Sequence, residues 1–276
     1  MSAVDPSDSY ALGRSTAETR RLMRQAQIYG PITRQFLVSA GIGTGMKVLD
    51  VGSGAGDVAL LLADLVGPRG GVVGVEMNPV ILETARARVD AAGWANVTFL
   101  DGDVTSIALE DDFDAVVGRW ILMYLPDPVA VLRGLVGCVR PGGIIAFLEN
   151  DFTYPPTTFP PAPLHQQVMR WTTPPPGSPG PDQQMGSKLH QAYLDAGLPA
   201  PQLRLDAPVG GGEDWPGYAY VADTVRSLLP MMEQMGLVSA GDVNIETLAD
   251  RLRAEALELR GVQMLPIVMG AWARKP

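Results

Sequence analysis

Residues 47–66 constrain this chain more than any other stretch. Lys-Val-Leu-Asp-Val-Gly-Ser-Gly-Ala-Gly-Asp runs directly into Val-Ala-Leu-Leu-Leu-Ala-Asp-Leu-Val. The first apolar run reads as a buried strand, the glycines as a turn and the remainder as a helix. That is the unit from which doubly wound α/β sheets are built. Gly52, Gly54 and Gly56 omit side chains where backbone must turn tightly and approach a ligand. The helix that follows aims free N–H groups at whatever occupies the turn.

The glycine spacing selects among ligands. A dinucleotide fingerprint wants Gly-x-Gly-x-x-Gly, and its third glycine would fall at Asp57. The spacing is instead Gly-x-Gly-x-Gly, with Asp50 two residues before the first glycine. A carboxylate there repels a pyrophosphate by about 1 kcal/mol or more even when partly screened. S-adenosylmethionine has no phosphate; it brings a sulfonium and an ammonium, with one carboxylate for the helix N-terminus. Asp50 favours that ligand and opposes the other.

Three later segments repeat the pattern of a strand ending in useful groups. Gly71–Glu76 is a second strand, and Glu76 follows Gly52 at about the interval expected of a ribose-binding carboxylate. Asn96–Asp103 is a third strand and a turn carrying two acids, of which Asp103 can accept an adenine amine. Phe113–Gly118 is a fourth strand, after which the chain opens at Arg119. From Met46 to Leu148 the chain resembles the class I S-adenosylmethionine-dependent methyltransferases, among the bacterial enzymes acting on small molecules. Asp-x-Gly-x-Gly-x-Gly at 50–56, Glu76, Gly102-Asp103, Asp114 and Arg140-Pro-Gly-Gly143 carry the resemblance.

The resemblance implies a Rossmann-like seven-stranded sheet, its last strand antiparallel, with a mostly helical cap. It implies that Asp50, Gly52, Ser53 and Gly54 hold the methionine part and that Glu76, with Met77, holds the ribose. Gly102, Asp103 and Val104 would meet the adenine, and Gly118-Arg119 would line the methyl-transfer end. The organisation expected is a helical segment over 1–45, a cofactor-binding core over 46–150, and a lid with cap helices and two further strands over 151–276.

At 276 residues and 46% hydrophobic content the chain can bury a full core. No apolar run of about 18 residues appears, so no membrane-spanning segment is expected. The opening Met-Ser-Ala-Val-Asp-Pro-Ser-Asp carries no secretion signal, which points to a cytoplasmic enzyme. A net charge of −9 without a basic cluster argues against a nucleic-acid partner. Cys138, the one cysteine, is expected to fill core within a helix.

Outside the core, residues 10–40 read as a helix with a Ser15/Glu18 capping box, and Tyr10, Gln25, Tyr29 or Arg34 face the cofactor or solvent. Ile144–Glu149 is the fifth strand. Ten prolines in 155–181 oppose regular structure over most of that length, as in a lid or binding loop. Lys188–Gly197 reads as a helix, Pro201–Val209 as the sixth strand and 215–236 and 244–260 as helices, the second capped by Asn244. Gln263–Arg274 reads as the last strand.

Methyl transfer from a sulfonium needs alignment and, for some acceptors, removal of a proton. The candidate bases are His165 in the lid region and Glu149 and Asp151 at the end of the fifth strand. Arg119 orients an acidic acceptor or pairs with Glu149. Tyr124, Phe152 and Trp171 suggest a pocket for an apolar or flat molecule. No metal is expected, since Gly118-Arg119-Trp120 stands where a metal-dependent relative would place an acid. The expectation is a small-molecule methyltransferase acting on oxygen or nitrogen, in secondary metabolism, with its oligomeric state open. The rivals are a pericyclase or isomerase that binds S-adenosylmethionine without transferring its methyl, and a protein methyltransferase. A weaker one, an NAD-type oxidoreductase, is opposed by Asp50 and Asp57.

Overall fold

The computed structural model describes residues 16–109, 112–173 and 180–276. In chain order come α1 (Thr16–Ala40), β1 (Lys47–Val51), α2 (Asp57–Val66), β2 (Gly71–Glu76), α3 (Pro79–Ala92), β3 (Val97–Asp101) and β4 (Phe113–Arg119). A 3-10 turn (Leu122–Tyr124) leads to α4 (Pro128–Gly137), β5 (Val139–Asp151), β6 (Thr158–Phe159), α5 (Pro163–Thr172), α6 (Met185–Asp195), β7 (Gln202–Asp206) and β8 (Val209–Gly210). Then follow α7 (Gly217–Gln234), α8 (Ala240–Val243), a second 3-10 turn (Ile245–Thr247), α9 (Leu248–Glu258), β9 (Val262–Met264) and β10 (Ile267–Arg274).

The described chain forms two compact units. One comprises residues 30–151, 182–206 and 268–276; the other, the remaining segments to 29, 152–181 and 207–267. The first holds the seven-stranded sheet, in the order β3-β2-β1-β4-β5-β10-β7. β1 pairs in parallel with β2 on one side and β4 on the other, so Val51 stands between Val75 and Gly118. β10 and β7 run antiparallel to each other. Strands β1, β4 and β5 are nearly continuous apolar runs because helices cover both faces of such a sheet; Leu49, Val116, Ile145 and Phe147 are all fully buried. Tyr193 on α6 is buried among them, and its phenol donates toward the carbonyls of Ile145 at 3.2 Å and Ala271 at 2.8 Å. Chain order reverses at β1 and β4, and the crevice at the carboxyl ends of such strands is where a doubly wound sheet takes its ligand.

The other unit packs α5, α7 and α9 with a small antiparallel sheet, β6-β9-β8. Leu248, Leu252 and Ala256 bury one face of α9, as their spacing requires. Helix α5 has no side-chain cap of its own at Ala162. Glu255 of α9 supplies one, accepting from the N–H of Leu164 at 2.6 Å and of His165 at 3.0 Å.

Several element boundaries differ from the sequence reading. The expected sixth strand divides into β7 and β8, and the expected last strand into β9 and β10. Prolines explain both breaks, since neither Pro208 nor Pro266 can donate to a ladder; Leu265 N–H donates to the Pro208 carbonyl instead. β5 starts five residues early, at Val139. Within the proline-rich stretch Pro163 opens α5, because the first helical position needs no N–H. Asn244 adopts a left-handed conformation, φ 46°, and its side chain makes no capping bond. Cys138 is the half-buried C-cap residue of α4 rather than core within a helix. Tyr10 and Ser15 lie outside the described residues. No helix among the described residues is long and apolar enough to cross a membrane.

Candidate functional site

The turn after β1 is built by backbone conformations that L side chains avoid. Gly52 and Gly54 have φ of 69° and 51°. A Cβ on Gly52 would stand 2.8 Å from the Ile121 side chain, whereas one on Gly54 would meet nothing within 4 Å. The turn is therefore packed on one side and open on the other. Behind it Asp50 is 1% exposed, and neither of its carboxyl oxygens completes a hydrogen bond. Burial pushes its pKa up to about 8; Arg119 pulls down, Asp57 and Glu76 push further up, and the Ala59 N–H exerts a weak downward pull without completing a bond. Ser53 beside it is buried with an unpartnered hydroxyl.

Asp57, the first residue of α2, is also buried, but its charge is matched. Arg88 Nη2 lies 2.7 Å from Oδ1 and Arg119 Nη2 3.7 Å from Oδ2. The repulsion that Asp57 was expected to direct at a diphosphate is therefore largely cancelled. Selectivity falls to Asp50, whose burial the sequence did not reveal.

At the end of β2 the Glu76 carboxylate accepts from Gly54 N–H at 3.1 Å and Asn78 N–H at 3.0 Å. It bridges the two turns, and each oxygen keeps a second lone pair for a hydroxyl. Desolvation raises its pKa against these N–H bonds. Met77 beside it is exposed. After β3, Gly102 N–H donates to the Glu76 carbonyl, and exposed Asp103 accepts from Thr105 N–H at 2.8 Å, giving a tight turn that presents Val104. The structure thus brings Asp50, Gly52, Ser53, Gly54, Glu76 and the 102–104 turn to one end of one sheet.

The segment after β4 begins at buried Gly118. Arg119 donates to Thr33 Oγ1 at 3.1 Å, pairs with Asp57 and lies 5.1 Å from the Trp120 ring centroid. It thus does not make the expected pair with Glu149. Glu149 is fully buried and accepts from three consecutive N–H groups: Ile121 at 3.1 Å, Leu122 at 2.9 Å and Met123 at 3.4 Å. Burial nevertheless pushes its pKa up to about 8. Asp151, also fully buried, accepts from Ser187 N–H at 2.7 Å and caps α6. Both acids therefore point into the sheet unit rather than to a pocket mouth, because each completes the backbone of a neighbouring segment. Tyr124, half-buried, closes the 3-10 turn.

Phe152, His165 and Trp171 belong to the other unit. His165 is fully buried on α5, where burial drives its pKa down to about 4 against an upward pull from Gln263. Neither ring nitrogen and neither Gln263 amide atom completes a hydrogen bond. Phe152 and Trp171 are half-buried. Of the α1 candidates, Gln25 is buried and accepts from Arg21, Tyr29 is buried against Tyr220, and Arg34 pairs with Asp64 in solvent. No group of three or more potential metal ligands occurs among the described residues. Ile121 escaped the sequence reading: an isoleucine in a loop carries no signal until its glycine neighbours are seen to be in contact with it.

These residues suit a cationic, hydroxyl-bearing nucleoside. A buried acid with two orphaned oxygens calls for a positive partner, and the open side of Gly54 leaves space for it. The comparisons agree. Residues 42–173 match the model of a methyltransferase domain. The chain is 39% identical over 121 residues to arsenite methyltransferase of Aquipseudomonas alcaligenes, spanning 41% of this chain and 35% of that protein. It is 31% identical over 126 residues to demethylmenaquinone methyltransferase of Lactococcus lactis, spanning 45% of this chain and 47% of the relative. The chain thus spans less than half the length of these relatives. Among solved structures, the YcgJ protein of Bacillus subtilis shares the fold, with a TM-score of 0.58 at 17% identity, covering 89% of this chain and 98% of that one. The glycine turn between two buried parallel strands and the acids closing the next two strands all lie within residues 42–173, the part of the chain that matches a methyltransferase domain.

Proposed function

We propose that this protein transfers a methyl group from S-adenosylmethionine to an oxygen or nitrogen of a small apolar or aromatic acceptor. The observation that supports the reading best is Asp50, a buried acid with no partner behind an open glycine turn. In this reading Asp50, Gly52, Ser53 and Gly54 hold the methionine part of the cofactor. Glu76 and Met77 hold the ribose, Gly102, Asp103 and Val104 the adenine, and Gly118 and Arg119 border the reacting end. Within the sheet unit, Tyr124 borders the acceptor's path.

When bound, the cofactor supplies an activated methyl group on a good leaving group. The chain's own contribution is then alignment and exclusion of water. Proton removal by Glu149 or Asp151 is disfavoured, since each is buried and holds backbone N–H groups. His165 is neutral across the physiological range. The acceptor therefore reacts through an oxygen or nitrogen that sheds its proton to solvent or is already free of one. An arsenic(III) acceptor is soft and calls for thiolates; this chain has one cysteine, on the C-cap of α4.

The test is incubation with S-adenosylmethionine and a panel of phenols, quinols and amines, with mass-spectrometric detection of methylated product and S-adenosylhomocysteine. The two should appear in equal amounts. A converted acceptor without S-adenosylhomocysteine would instead support a cofactor that is bound but not consumed.

A further inference from the structure

We infer that Glu149 is a positioning residue that shapes the cofactor pocket through the loop after β4, and is not a group that moves a proton. The inference rests on the cofactor reading above. Three consecutive N–H groups, those of Ile121, Leu122 and Met123, converge on one carboxylate at 2.9–3.4 Å. Successive N–H groups gathered around the oxygens of one carboxyl form a nest, which holds a backbone turn in one shape. The loop needs such a hold because it enters through a strained residue. Trp120 has φ 55°, a left-handed conformation disfavoured for a bulky side chain. Its N–H is tied to the Leu148 carbonyl at 2.9 Å, one residue before Glu149, so both anchors of the turn lie at the end of β5.

What the anchored turn delivers is Ile121. Its Cδ1 lies 2.8 Å from the place a Gly52 Cβ would occupy, and its Cγ2 lies 2.8 Å from that of Gly118. One side chain thus fits against both strand-end glycines, β1's and β4's, and forms the packed side of the cofactor turn. If the N–H groups were released, Ile121 would be free to leave, and Gly52 would lose the surface that fixes it.

The experiment compares wild type, Glu149→Gln and Ile121→Ala by calorimetric titration with S-adenosylhomocysteine and by amide hydrogen exchange. Gln keeps the size of the side chain but sets an amide NH₂ against one of the donor N–H groups. We expect Glu149→Gln to expose the amides of 121–123 to exchange at least tenfold faster, with α2 and α4 still protected. Affinity for S-adenosylhomocysteine should fall at least tenfold in both variants, measured well below their melting temperatures. Ile121→Ala leaves Glu149 and its bonds intact, so it tests the packing step even if Glu149→Gln does not fold. Unchanged affinity in Ile121→Ala, or protected loop amides or unchanged affinity in folded Glu149→Gln, would overturn the inference. Absence of binding by the wild type would overturn the cofactor reading itself, and the inference with it.

Discussion

Asp50 gives the cofactor reading a measurable consequence in protons. In the free protein burial holds its pKa at about 8, so at pH 7 about nine molecules in ten carry a proton on it. A bound ammonium stabilises the carboxylate and draws the pKa down. Binding S-adenosylhomocysteine at pH 7 should therefore release a proton from most molecules at Asp50. The sign follows from the free-state pKa lying above the loaded one: affinity climbs as pH rises toward 8, by about tenfold per unit at most, and levels off above it. The assay is calorimetry at pH 7 in buffers of different ionisation enthalpy, where the slope of observed heat against that enthalpy counts the protons. Asp50→Asn keeps the shape but has no proton to lose, so its slope should vanish and its affinity should no longer depend on pH in this window. A wild-type heat that does not vary with buffer would refute the reasoning, since Asp50 would then not change ionisation on binding.

Other perturbations separate the site from the scaffold. Gly54→Ala costs about 1 kcal/mol of stability for its left-handed backbone but meets no neighbour, and calorimetry should show at least a tenfold loss of S-adenosylhomocysteine affinity. Tyr193→Phe removes the donor to Ile145 and Ala271; urea unfolding should reveal a loss of about 1–2 kcal/mol with cofactor affinity retained. His165 has a folded pKa of about 4 against 6.5 unfolded, so the unfolded chain binds the extra proton between these values. Stability should fall by about 3 kcal/mol as pH drops through that window, and His165→Gln should flatten this part of the denaturation curve. Glu255→Gln should weaken the tertiary cap on α5 by about 1 kcal/mol, read as faster amide exchange at Leu164 and His165.

The strand–turn–helix at 47–66, the acids closing β2 and β3 and the succession of the first five strands along the chain were legible because each depends on local pattern. A run of Val and Leu is a buried strand wherever it lies, and alternating glycines turn the chain whatever surrounds them. The family resemblance then supplied the antiparallel end of the sheet. Tertiary structure alone decided which carboxylates are free. Glu149, Asp50 and Asp151 are the same kind of residue at strand ends, yet one holds a loop, one has no partner and one caps a helix. It also moved His165 from candidate base to buried neutral ring and paired Arg119 with Asp57. The reason is physical: an ionisable group's role is set by desolvation and by the donors within about 3 Å of it, and those donors come from distant parts of the chain.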